Sequence, residues 1–322
     1  MRSSLEWRTA RIEAVEQIAG DIRMMEFSVG GPLPRFEPGS HINIRVQIGK
    51  DRTTRTYTCL PAGTGRLRVA VKRHAHSRGG SRFMWSLAPG AAVELTVPEN
   101  RFELSWRGAP SLLIAGGIGI TPIYGMALAL HARGTAFRMV YGGRTRAEMA
   151  FANELMGLLG GQLELFAGDE GRRIDIAAEI EALAPDGELY VCGPIGMLEA
   201  VKAAWASAGR PVSRLRFEVF GDSGQFAEAA FQVCIAGKGV DVDVRSDQTL
   251  LEALLGAGVE MIYDCQRGEC GLCAVDVLRR EAEIDHRDVF FSAEQKHEGK
   301  RMCACVSRLA GGRAVIDVGY RP

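Results

Sequence analysis

The sequence predicts a multidomain protein of the α/β plus β class: an antiparallel β-barrel, then a parallel α/β domain, then a small domain built around cysteines. Three observations predict it. Residues 1–106 alternate apolar and polar side chains between Gly and Pro turns, as in HINIRVQI, RLRVAVKR and AAVELTV, which is the period of half-buried antiparallel strands. Residues 107–228 alternate short apolar runs (SLLIAGG, FRMVYGG, LELFAG, ELYVCGP) with helix-like stretches such as TPIYGMALALHAR and MLEAVKAAWASAG. That alternation calls for a parallel sheet covered on both faces. The polar stretch DSGQFAEAA reads as a linker; beyond it, residues 229–322 hold two strand-like runs (FQVCIA, VDVDV), a helix at TLLEALLGAG and a dense cysteine region.

A length of 322 residues suits two or three domains at about 150 residues each. With 47% apolar and 24% charged residues, the composition excludes disorder and a disulfide-stapled miniprotein. Lys and Arg number 39, as do Asp and Glu, so the net charge of 0 lacks the footprint of a nucleic-acid binder. The balance hides an asymmetry. The first segment carries 16 basic against 10 acidic residues, a net of +6, which suits a small anionic ligand; the second (11 against 14) and the third (12 against 15) each carry −3.

The opening MRSSLEWRTARIEAVEQ has charges every few residues and no apolar core of a secretion signal, so a cytoplasmic location is expected. The uncharged run Gly108–Ala132 is interrupted by Gly116, Gly117, Gly119, Pro122 and Gly125. It reads as strand, turn and helix start rather than a membrane span. Eight cysteines in a reducing compartment point to metal or redox chemistry.

DCQRGECGLC places Cys265, Cys270 and Cys273 in a C-x4-C-x2-C run with Gly268 and Gly271 between them. This is the spacing of a plant-type 2Fe-2S loop, whose tight turns bring backbone amides to the sulfurs. Zinc also takes four thiolates, but its ligands come as two short pairs. The fourth ligand is Cys303 or Cys305, separated from Cys273 by 29 and 31 residues, and spacing alone leaves both open. The isolated Cys59 and Cys234 read as buried filler.

Two further stretches suit nucleotides. RTYT (Arg55–Thr58) leaves a strand, and VKRHAHSRGGS (Val71–Ser81) leads to a helix starting at Ser81; an arginine with amides at a helix start suits a phosphate, and Tyr57 offers a flat face to a ring. AGGIGITP puts Gly116, Gly117 and Gly119 after a strand, with Thr121 and Pro122 opening a helix, and YVCGP (Tyr190–Pro194) ends a second strand of the same sheet. Ligands of open parallel sheets sit beyond such strand ends. Cys192 there either faces a nicotinamide or is a packed thiol. Arg144 and Arg146 are either contacts for a 2′-phosphate or solvated loop charges.

RTYT, RGGS, AGGIGITP, CGP, FEVF, C-x4-C-x2-C, DHRD and CVSR, standing in this order, resemble the phthalate dioxygenase reductase family, which includes vanillate O-demethylase reductases. The resemblance spans essentially the whole chain. It implies an FMN-binding barrel over residues 1–106, an NAD-binding domain with linker over 107–228 and a plant-type, β-grasp 2Fe-2S ferredoxin domain over 229–322. Other ring-dioxygenase reductases carry the ferredoxin first and use FAD, so the C-terminal cluster implies FMN. Carried over position by position, the flavin contacts are Arg55, Thr56, Tyr57 and Thr58, then Ala70, Val71 and Lys72, then Gly79, Gly80 and Ser81 on the phosphate side. Gly117, Thr121, Cys192, Gly193 and Pro194 match the nicotinamide region, and Phe220 matches an aromatic near the flavin. The family's last cysteine directly precedes a V-S-R-like ending, which makes Cys305 the fourth ligand beside Cys265, Cys270 and Cys273.

The implied activity is a relay from NADH through FMN to the 2Fe-2S cluster and on to a Rieske-type non-haem iron oxygenase acting on an aromatic compound. No side chain is required as an acid or base. The alternatives are the same chain serving a cytochrome P450 or another acceptor, and an electron-carrier or binding module whose glycine turns hold no nucleotide. No nucleic-acid or membrane partner is expected.

Overall fold

The computed structural model describes residues 6–74, 79–220, 226 and 229–319, and the chain divides into two compact units, Met1–Glu218 and Val219–Pro322. The first unit begins with strands β1 (Trp7–Ala19), β2 (Ile22–Val29), β3 (Ser40–Ile48), β4 (Asp51–Thr58) and β5 (Arg66–Lys72), a short helix α1 (Gly80–Ser86), then β6 (Ala92–Thr96) and β7 (Glu99–Asn100). They form one antiparallel sheet in the order β4-β3-β6-β1-β2-β5, with β7 beside β3. A bridge between Leu60 and Arg68 brings the β4 end of the sheet to β5, which curls it toward closure. Alternation in HINIRVQI becomes inward Ile42, Ile44 and Val46, all fully buried with Met25, Phe27 and Leu95.

The same unit continues with β8 (Ser111–Gly116), α2 (Ile120–Arg133), β9 (Phe137–Gly143), α3 (Ala152–Leu159), β10 (Leu163–Ala167), α4 (Ile176–Ala182), β11 (Glu188–Cys192), α5 (Ile195–Ser207) and β12 (Leu215–Glu218). All five strands are parallel, in the order β10-β9-β8-β11-β12. The central strands β8 and β11 are buried along their whole length, as strands covered on both faces must be. Because chain order reverses beside β8, the ends of β8 and β11 open a crevice.

The second unit holds β13 (Phe231–Ile235), β14 (Val240–Val244), α6 (Leu250–Gly256), β15 (Ala274–Arg280), β16 (Ile284–Asp285), α7 (Ala293–Glu298), β17 (Arg301–Cys303), β18 (Arg308–Leu309) and β19 (Arg313–Asp317). The sheet runs β14-β13-β19-β15-β17, with β13 and β19 parallel and β16 paired to β18 apart. A hairpin, a helix and a returning parallel strand give the β-grasp arrangement expected. Thr249 starts α6 with a reciprocal cap: its hydroxyl accepts the Glu252 N–H at 3.0 Å and the Glu252 carboxylate accepts the Thr249 N–H at 2.9 Å. No helix among the described residues is long and apolar enough to cross a membrane.

Candidate functional site

In the first unit a cleft of about 410 Å³ lies beyond the carboxyl ends of the parallel strands. Gly116, Gly117 and Pro194 form one side, Arg144, Arg172 and Arg173 line it further along, and Lys72 reaches it from β5. The AGGIGITP and CGP turns meet closely: a Cβ built on Gly119 would stand 2.2 Å from the Cys192 carbonyl oxygen, so only glycine permits this approach. Thr121 is buried and its hydroxyl donates to the Ile118 carbonyl at 3.1 Å, closing the turn itself. Cys192 is fully buried at the end of β11, and neither it, Thr121 nor Gly193 is among the residues lining the cleft. Arg146 is occupied by Asn153 and the Met156 sulfur, leaving Arg144 of that pair on the cleft.

Lys72 joins the two halves of this unit. Its ammonium lies 3.1 Å from Asp21 of the barrel and 3.2 Å from Glu148 on the β9–α3 connection. Ala70 and Val71 are buried in β5, and the Val71 carbonyl accepts the Trp85 indole N–H at 3.0 Å.

Along β4, Arg55 lies across the first turn of α1: a Cβ on Gly80 would stand 2.8 Å from Arg55 Cγ and Nε, so glycine is what lets the guanidinium's stem rest there. Arg55 also donates to the Thr54 carbonyl at 2.8 Å, which fixes its direction. Gly79 precedes the helix in the left-handed conformation, and the Ser81 hydroxyl accepts the His74 N–H at 3.4 Å. Residues 75–78, between Lys72 and Gly79, lie outside the described residues, as do 221–225, 227 and 228 of the linker. Thr56 turns its hydroxyl to Asn43 at 2.8 Å, and Tyr57 is half-buried against the barrel core. Thr58 Oγ1 is buried with no hydrogen-bond partner among the described residues. A buried hydroxyl in that state calls for a polar partner beyond the described residues. It fits a flavin edge, and the Arg55–Gly80 cradle fits its phosphate.

The sequence reading took only Phe220 from FEVF, and the structure adds Glu218. This carboxylate ends β12 in register with Cys192 and is 2% exposed. Burial first, and then the Glu218 charge, push the Cys59 thiol well above its usual range, which places Glu218 near the β4 end that carries Thr58. A buried acid closing a short strand is the signal that marks it. Phe220 follows β12 in the second unit and is half-buried.

In the second unit the cysteine loop precedes β15. Cys265 Sγ accepts the backbone N–H groups of Arg267, Glu269 and Cys270, each at 3.4 Å. Gln266 takes a positive φ of 51° to make this wrap, a conformation uncommon for a residue with a side chain. Cys265 and Cys270 are half-buried, whereas Cys273, Cys303 and Cys305 are buried. Among the described residues no three ligand-type groups surround a single point as one metal ion requires. The thiols group instead as Cys265 with Cys270, and Cys273 with Cys303 and Cys305. A 2Fe-2S cluster is held by four thiolates. Hydrogen bonds from the Cys303 and Cys305 thiols hold Cys273 well below the usual thiol range against the effect of burial. Contact with Cys273, reinforced by burial, pushes Cys305 up; Cys305 also feels the charge of Cys265 and takes the Gly268 N–H. Cys303 and Cys305 thus both meet Cys273, and the Gly268 N–H is a further partner of Cys305. Amide donors aimed at a sulfur, opposite paired thiols, fit a 2Fe-2S cluster.

Comparison with known proteins agrees part by part. Family models match residues 9–104 (oxidoreductase FAD-binding domain), 113–203 (oxidoreductase NAD-binding domain) and 233–310 (2Fe-2S iron-sulfur cluster binding domain). Phthalate dioxygenase reductase of Burkholderia cepacia is 33% identical over 319 residues, covering 96% of either chain. The solved structure of a phthalate dioxygenase reductase superposes with a TM-score of 0.78 at 31% identity, covering 97% of this chain and 98% of that one. An intact type IV self-sufficient cytochrome P450 monooxygenase matches at 34% identity and a TM-score of 0.67; this chain spans 41% of its length.

Flavin cradle, dinucleotide cleft and thiol loop on one chain define an oxidoreductase that uses flavin, NADH and a 2Fe-2S cluster to transfer electrons. The chain belongs to the phthalate dioxygenase reductase family.

Proposed function

We propose that this chain is the reductase component of a two-component Rieske-type aromatic oxygenase in the cytoplasm, with FMN as its flavin. The cluster loop carries the reading: three amides converge on Cys265 in a chain that also holds a nucleotide cleft. When bound, the flavin takes electrons from NADH in a pair and the cluster takes them singly, which is the conversion such an oxygenase needs. The protein's part is placement. Gly116, Gly117 and Pro194 let a dinucleotide approach the strand ends, and Arg144, Arg172 and Arg173 supply positive charge along the same cleft. Arg55 and Gly80 hold the flavin phosphate, while Tyr57 and Thr58 meet the ring system. Cys265, Cys270, Cys273 and Cys305 ligate the irons. The parts span residues 1–106, 107–228 and 229–322, and the C-terminal place of the cluster supports FMN over FAD.

The test is the visible spectrum and released flavin of the anaerobically purified chain, followed by NADH addition and titration with acceptors. About two irons and one FMN per chain, bleaching by NADH, and turnover with an aromatic-ring oxygenase support the reading. A colourless, metal-free folded protein overturns it. The match to a fused P450 favours a second reading, electron delivery to a haem acceptor. Faster reduction of a P450 than of any Rieske protein selects that reading.

A further inference from the structure

We propose that Arg144 and Arg173 form a subsite for the 2′-phosphate of NADPH, so that the cleft takes the phosphorylated coenzyme as well as NADH. This rests on the reading that the cleft holds a nicotinamide dinucleotide. In a sheet of this kind the pyrophosphate sits where the first strand meets its helix, and the ribose that carries the adenine is read at the end of the next strand. Here the first place is the turn of Gly116 and Gly117 after β8. The second is the end of β9, where Gly142 and Gly143 lead into Arg144, and all five residues line the cleft. A site built for NADH alone sets an acidic side chain at the second place, where it bonds the free 2′-hydroxyl and repels a phosphate. This chain sets Arg144 there.

The carboxylates nearby are engaged. Glu148, the one acid among the described residues lining the cleft, lies 3.2 Å from the Lys72 ammonium. Asp169, just beyond β10, accepts the Arg146 backbone N–H at 3.1 Å. The three arginines of the cleft divide their work. Arg172 donates to Glu164 at 2.7 Å and to the Leu165 carbonyl at 2.6 Å, and its guanidinium lies 4.9 Å from the centre of the Phe166 ring. Phe166, half-buried in the cleft wall, gives an adenine a flat face to stack on. Arg144 and Arg173 are exposed on the same cleft, and among the described residues neither guanidinium is paired with a carboxylate. Two such groups, one from the end of β9 and one from the segment after β10, suit a phosphate dianion through charge-assisted hydrogen bonds. NADPH differs from NADH in that phosphate alone, so the hydride it delivers to the flavin is the same.

The experiment is anaerobic stopped-flow reduction of the flavin in the full chain by NADH and by NADPH, for wild type, Arg144→Ala, Arg173→Ala and Arg144→Asp. Calorimetry with adenosine 2′,5′-bisphosphate and adenosine 5′-monophosphate, which differ only in the 2′-phosphate, gives the affinity of the subsite directly. In wild type the efficiency with NADPH is within about ten-fold of that with NADH, and the bisphosphate binds on the order of ten-fold more tightly than the monophosphate. Each alanine variant weakens both coenzymes, but NADPH loses on the order of ten-fold more than NADH. Arg144→Asp widens that gap and erases the preference for the bisphosphate. An efficiency with NADPH about 100-fold or more below that with NADH, with the two adenosine phosphates bound alike, overturns the inference and leaves the reading of the cleft intact. Equal losses for both coenzymes in the alanine variants assign Arg144 and Arg173 to the pyrophosphate and also overturn it. Flavin reduction by neither coenzyme, with neither adenosine phosphate bound, overturns the reading of the cleft together with the inference.

Discussion

The thiol loop and the nucleotide cleft hold their cargo by opposite means. In the loop, side chains make the bonds and the backbone assists: Cys265 through Cys273 lie within nine residues, and three amides point at one sulfur. In the cleft the backbone ends of strands β8, β9 and β11 set the shape, and glycines matter by what they leave out. The first kind of site fails when a ligating atom is removed. The second fails when an atom is added.

Replacing Cys270 by Ser tests the first statement with the largest expected effect. The cluster is lost, one-electron reduction of an acceptor protein falls to background, and NADH-driven bleaching of the flavin persists, all readable in one stopped-flow experiment. Gly119→Ala tests the second. The added methyl meets the Cys192 carbonyl, the two turns separate, and flavin reduction by NADH slows by about 100-fold, while photoreduction of the same flavin and the cluster spectrum are unchanged.

Two smaller effects concern the scaffold of the loop. Burial alone would raise the Asp288 carboxyl, but His286, the Phe291 amide, Lys296 and Ser307 together hold it below the usual carboxylate range. Its folded value therefore lies under its unfolded one. The stability it contributes is present above the ordinary Asp range and is lost as pH falls through the lower, folded value. Asp288→Asn should cost roughly 1–3 kcal/mol at neutral pH and flatten the acid limb of the unfolding curve. Loss of the visible iron-sulfur band against pH and denaturant measures both. Thr249→Ala, which removes the α6 cap, should cost about 1 kcal/mol in the same assay with the cluster spectrum intact.

The same contrast explains what could be read from the sequence. The C-x4-C-x2-C loop is local, so its spacing stated its chemistry, and the alternation in HINIRVQI announced β3 because period two survives any tertiary context. Glu218 could not be read that way. Its setting is made by Cys192 on the next strand and by Cys59, distant in sequence. Lys72 likewise belongs with Asp21 and Glu148, which no spacing announces. DHRD served only as part of a motif series, since four charged or polar residues in a row suggest a surface. The structure buries Asp285, Arg287 and Asp288, with the Arg287 guanidinium 2.8 Å from Asp285. Burial of that kind depends on Ser307, from another segment altogether, whose hydroxyl accepts the Arg287 N–H and donates to Asp288.

The division of the chain at Glu218 has a kinetic meaning. The residues assigned to the flavin cradle and the cleft stand before it, apart from Phe220, and every cluster thiol stands after it. One covalent connection makes the iron-bearing half a permanent neighbour of the half that meets NADH, at an effective concentration on the order of millimolar for a short tether. Turnover in the intact chain is then independent of dilution up to its encounter with the final acceptor. A gene split between these halves would turn an internal step into a bimolecular one, and its rate would rise in proportion to the amount of the separated iron protein supplied.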